Sequence, residues 1–163
     1  MKQYNKKVSI VGVGNILCSD EGVGVYVIEK LRDMKLPEYV ILYDCGTSGI
    51  AVLEALDGSL KGIIIDAVSM GGPPGKIYRF SLDEVLSMED NLFRMVSLHQ
   101  FDLVSTLKLA SYTDVYRLPG DIVIIGVEGK DYSFNVGLSK EVEEAIPDVI
   151  ELVIKEIRVF EAR

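Results

Sequence analysis

The chain has 163 residues, 48% of them hydrophobic and 26% charged, enough for one domain (1–163) with a buried core. Its formal net charge of −8 opposes binding to nucleic acid or to an anionic membrane, since both demand concentrated positive charge. No stretch supplies the ~20 uninterrupted apolar residues of a membrane span, and MKQYNKKVSIVG lacks a signal-peptide core, so a cytoplasmic location is expected.

In chain order, Val8–Val13 reads as a short buried strand ending in a glycine-rich turn, and Val23–Leu31 follows with helical spacing at Val23, Val27, Ile28 and Leu31. Tyr39–Tyr43 is a second strand closed by Asp44; a Gly46–Gly49 loop leads to a short helix through Val52, Leu53 and Leu56. Gly62–Ile65 is a third strand, closed by Asp66. The run Gly71–Gly75, with two prolines, breaks the chain before an edge strand at Lys76–Phe80.

Ser81 and Glu84 have the spacing of a capping box for another short helix. Met95–His99 reads as a loop entering a helix with Leu103, Leu107 and Ala110 on one side, and Asp121–Val127 as a further buried strand. Ser139 is the expected N-cap of the last helix, which Pro147 is expected to kink or restart, with Ile150, Val153, Ile154 and Ile157 facing the core.

Such alternation implies a single three-layer α/β domain, a twisted and mostly parallel sheet flanked by helices. Ligands of these sheets sit beyond the carboxyl ends of the strands. Asp20 with Glu21, Asp44 and Asp66 all fall there, so three acidic positions are expected at one rim.

The spacing Gly12-x-Gly14 after a strand, with Asp44 ending the next, invites a dinucleotide-binding reading. Position 17 is leucine where the third glycine would stand, and Asp20 and Glu21 occupy the helix entrance that a pyrophosphate needs. Asp44-Cys45-Gly46-Thr47 superficially resembles the loop of aspartic proteases, but that chemistry needs two such loops sharing a proton, and the sequence has one. The bland alternative is a turn in which Asp44 binds backbone amides.

His99 is the only histidine. At a helix entrance the dipole opposes its protonation and keeps the imidazole available for a metal. With Glu21 and Asp66 it would form a borderline-hard, three-donor site suited to zinc, nickel or a similar ion, with coordination positions left open. Cys18 and Cys45 form no C-x-x-C pair or disulfide framework. Beside Asp20 and Glu21, the Cys18 thiol is expected to titrate high, the wrong direction for a nucleophile, and no G-x-S-x-G elbow supplies a serine.

With GVGNILCSDEGVGV, the YDCGTSG loop, IIIDAV, SLHQFD and the late GVEG turn in this order, nearly the whole chain resembles the hydrogenase maturation endopeptidases. These trim the C-terminus of the large subunit of nickel–iron hydrogenases. The resemblance implies metal contact by Glu21, Asp66 and His99 and a role for Asp44 in activity or substrate recognition. Glu21, Asp44 and Asp66 are the catalytic candidates, with the general base among them left open. The resemblance further implies that the metal is nickel carried by the precursor, used for recognition, and that no tightly bound resident cofactor is expected. The alternative function is a non-catalytic nucleotide-binding or metal-sensing chaperone module.

Overall fold

The structure is a computed structural model that describes residues 7–88 and 103–163. Its centre is a five-stranded sheet in the order β2-β1-β3-β5-β4. The strands are β1 (Val8–Gly12), β2 (Val40–Asp44), β3 (Lys61–Val68), β4 (Ile77–Ser81) and β5 (Asp121–Glu128). Among the described strands only β4 runs antiparallel, at the edge beside β5. β3 and β5 are covered on both faces, which is why IIIDAV and DIVIIGV read as near-continuous apolar runs.

Helices α1 (Val23–Arg32) and α5 (Lys140–Glu161) pack on one face through Val23, Val27, Ile28, Leu31, Val149 and Val153. Helices α2 (Gly49–Leu56) and α4 (Leu103–Ser111), with Val85 of α3 (Leu82–Ser87), cover the other face through Val52, Leu56, Leu103 and Leu107. The expected three-layer α/β arrangement is therefore the observed one.

One local expectation holds in detail. Ser81 Oγ accepts the Glu84 N–H while the Glu84 carboxylate accepts the Ser81 N–H, a complete capping box. Three details differ. β3 continues through Val68, so Asp66 lies inside the strand rather than at its end. Ser139 precedes α5 as its N-cap residue, but its hydroxyl turns away from the helix and donates to Asp20. Pro147 does not restart α5, which stays one helix. Pro147 and Glu143 both face solvent, so water can serve the carbonyl that loses its N–H partner, while Val142, Ala145, Ile146 and Val149 hold the opposite face on the sheet.

At the amino end of the sheet, away from the acidic rim, Lys61 is fully buried and donates to Glu156 on α5 (2.9 Å) and to Asp121 (3.0 Å). Arg79 on β4 pairs with the same Glu156. This cluster ties α5 to three strands. Among the described residues no helix is long and apolar enough to cross a membrane.

Candidate active site

β1 feeds α1 and then β2 on one side, while β3 returns on the other side of β1. The strand order thus reverses between β1 and β3, the position where open α/β sheets hold ligands. Residues 13–22 fill this crevice, ending in a single 3-10 turn, Ser19–Gly22, that delivers the chain into α1.

Glycine makes the tight turn possible. Gly14 adopts φ +137°, and a Cβ there would stand 1.8 Å from the carbonyl oxygen of Glu21. Gly24, in the first turn of α1, lies so close to the sheet that a Cβ would stand 2.3 Å from the carbonyl of Ile65. The glycines that resemble a phosphate loop are occupied in pressing the 3-10 turn onto β1 and β3. Ser19 holds φ +52°, a conformation that non-glycine residues seldom adopt and that is often met beside functional groups.

The turn sets the two adjacent acids to different tasks. Asp20 is buried and accepts four hydrogen bonds: Oδ2 from the N–H groups of Lys130 (2.8 Å) and Asp131 (3.0 Å) and from Ser139 Oγ (2.8 Å), and Oδ1 from the Ser139 N–H (2.7 Å). It does not cap α1; it clasps the loop of residues 130–139 against the turn. Glu21 is also buried, and its carboxylate stands close enough to Asp66 to act on that side chain's charge.

Asp66 is fully buried in β3. Its Oδ1 accepts the Ala67 N–H (2.8 Å), and among the described residues its Oδ2 is the one buried side-chain polar atom without a hydrogen-bond partner. Burial pushes the carboxyl well above the usual carboxylate range; the Ala67 N–H draws it down, and the charge of Glu21 raises it further. An orphaned buried oxygen beside a second carboxylate is unfavourable unless a proton or a cation joins it.

Cys18 faces Glu21, and desolvation followed by the Glu21 charge raises its thiol, in the expected direction. Cys45, buried at the end of β2, is pushed up to about 11 by burial, then by Asp44 and Glu54. Neither thiol has the environment of a nucleophile.

Asp44 is exposed at the carboxyl end of β2, where Oδ1 accepts the Gly46 N–H (3.0 Å) in the turn expected for it. In register, Gly12 lies between Asp44 and Ile65, so two strand spacings, roughly 10 Å, separate the backbones of β2 and β3 here. The structure brings Glu21 and Asp66 together and leaves Asp44 across β1 on the same rim. Asp44 and Asp66 are too far apart to share a proton as the pair of an aspartic protease does. His99, and with it the SLHQFD segment and the loop Met95–His99, lies outside the described residues.

Glu128 escaped the reading from sequence as a working residue. It ends β5 beside Val68, is buried, and accepts the N–H groups of Met70 (3.0 Å) and Gly71 (3.2 Å), holding the start of the Ser69–Gly75 loop. An acid ending an apolar strand was the signal available, the same one that marked Asp44.

Fold and site together define a doubly wound α/β protein whose ligand end carries buried acids in place of a phosphate cradle. Residues 25–156 match the family model described as hydrogenase maturation protease. The chain is 32% identical to the hydrogenase 2 maturation protease of Escherichia coli over 154 residues, covering 93% of this chain and 91% of that one. Among solved structures it is similar to the hydrogenase maturating endopeptidase HybD from E. coli, with a TM-score of 0.79, 28% identity, and coverage of 93% and 92% of the two chains. The nickel–iron hydrogenase maturation protease HybD from Thermococcus kodakarensis gives a TM-score of 0.76 at 25% identity, covering 91% and 97%. The chain belongs to the hydrogenase maturation protease family, and its activity is that of a peptidase.

Proposed function

We propose that this peptidase removes the C-terminal extension of a nickel–iron hydrogenase large-subunit precursor and recognises the precursor by the nickel it already carries. The observation that carries this reading is the Asp66 Oδ2 oxygen, buried and unpartnered beside Glu21. A divalent cation brought by the substrate relieves both the orphaned oxygen and the repulsion between the two carboxylates. His99, which the family resemblance assigns to the same ion, supplies the third donor. Carboxylate and imidazole donors suit nickel, and three of them leave positions for the precursor's own ligands.

The chemistry is hydrolysis of one peptide bond: water adds to the scissile carbonyl, the C–N bond breaks, and the proton taken from water goes to the leaving amine. The substrate's nickel orients the tail and can polarise that carbonyl. Glu21 and Asp66 are committed to the cation in this scheme. Asp44, exposed to solvent and fixed through one oxygen by the Gly46 N–H, is the carboxylate we assign as base for the attacking water. The α1 entrance gives the nucleotide alternative no support, because Glu21 and the Gly14 turn fill the place of a phosphate.

The test mixes the purified protein with large-subunit precursor prepared with and without nickel and follows the mass lost from the precursor. Trimming confined to the nickel-loaded form is expected. Equal trimming of both forms would overturn recognition through nickel, and binding without any trimming would make the protein a chaperone.

A further inference from the structure

Beside the buried acids, the protein surface is unexpectedly apolar. Ile16 and Leu17 are 41% and 44% exposed, and Phe134 and Val136 are 83% and 65% exposed. The two pairs lie on segments joined by backbone bonds. The Asn135 N–H donates to the Leu17 carbonyl (2.9 Å), the Ser19 N–H donates to the Asn135 carbonyl (2.8 Å), and Cys18 bridges Asn135 in parallel fashion. Ser19 Oγ adds a bond to the Gly137 carbonyl (3.0 Å). The result is a fixed lip of four apolar side chains, and the chain runs on from its Ile16–Leu17 half through Cys18 and Ser19 to Asp20 and Glu21.

We propose that this lip docks an apolar stretch of the hydrogenase precursor next to its cleavage point, a proposal that rests on the reading that this chain trims such a precursor. Continuity with the site carries it. Leu17 stands four residues from Glu21, and the Cys18 thiol between them faces the Glu21 carboxylate, so a tail brought to the carboxylates lies along the lip. Charge selects among occupants. Two copies of a chain of net charge −8 meeting lip to lip would bring two acidic rims together, and an anionic bilayer meets the same repulsion. A substrate bearing a cation next to apolar residues complements both halves of the surface. Exposed aromatic side chains held on a rigid backbone are the anchors such interfaces use.

The test compares Leu17→Ser and Phe134→Ser with the wild type in initial-rate trimming of the nickel-loaded precursor, and measures precursor Kd separately. Leu109→Ser, on α4 and 68% exposed, serves as control. At least a tenfold rise in KM and in Kd is expected for the lip variants, with kcat within twofold and the control unchanged. Unchanged KM and Kd in both lip variants, while the wild type trims, would overturn the docking surface and leave the activity standing. A wild type that binds but does not trim would overturn the activity instead, and a tenfold Kd loss in the lip variants would then still support the surface. A wild-type dimer that the lip variants dissociate at unchanged precursor Kd would assign the lip to a second copy and overturn the proposal.

Discussion

Asp20 and Ser139, 119 positions apart in the chain, hold each other twice: the Ser139 N–H donates to Oδ1 at 2.7 Å and its hydroxyl to Oδ2 at 2.8 Å. This pair fastens the entrance of α5 to the turn that carries Glu21. The loop between Lys130 and Ser139 is closed over the same carboxylate by two further N–H donors. The turn that carries Glu21 is thus held in place by an acid whose two oxygens accept four hydrogen bonds.

Asp20→Ala should cost about 3 kcal/mol or more, because it leaves several donors of a buried network without an acceptor. Denaturant melts would read the loss. Asp20→Asn, which keeps the shape and an acceptor oxygen, should recover part of it. Equal stability of Asp20→Ala and wild type would show that Asp20 does not clasp the loop.

Gly14→Ala should destabilise by about 2–4 kcal/mol, since it combines a positive φ with a Cβ driven into the Glu21 carbonyl. Thermal unfolding measures it. A variant that melts with the wild type would show that the turn is not pressed against Glu21.

The Lys61–Glu156–Arg79 cluster predicts a pH dependence. Burial alone would raise the Glu156 carboxyl, but Arg79 and Lys61 outweigh it and hold it below its ordinary value of 4.5. A depressed folded value means that the unfolded chain binds the proton more readily. The stabilisation is therefore present above pH 4.5 and is lost as pH falls through the lower folded value. Glu156→Gln should flatten that acid limb of the Tm–pH curve. At neutral pH it should cost about 1.5–3 kcal/mol, because it removes one of the two carboxylates facing fully buried Lys61 and leaves Asp121 as the other. An unchanged acid limb in the variant would contradict the assignment.

For the base, Asp44→Asn should lower kcat at least a hundredfold and change KM for the nickel-loaded precursor less than threefold. A rise in KM at constant kcat would instead give Asp44 a binding role.

The architecture was legible because each strand and helix carries its own period: the β-branched runs ending in Asp44 and near Asp66, and the 3.6-residue spacing of Val23, Val27, Ile28 and Leu31. The rim could be read from acids near strand ends. What could not be read was the division of labour between neighbours. Asp20 and Glu21 look alike in sequence, and only the path of a loop more than a hundred residues later makes one a clasp. Glu128 was hidden for the same reason, since its amide donors, Met70 and Gly71, come from a different connection. Pro147 does not restart α5, because its position on the helix faces water, which can serve the carbonyl left without a donor.

In the proposed function, Asp66 receives the precursor's cation on its unpartnered buried oxygen. The direct measurement is the trimming rate of nickel-loaded precursor by Asp66→Asn beside its melting temperature. Loss of trimming by at least a thousandfold is expected in a protein that melts no lower than the wild type, because the amide adds no buried charge. Trimming at the wild-type rate by a folded Asp66→Asn would contradict it.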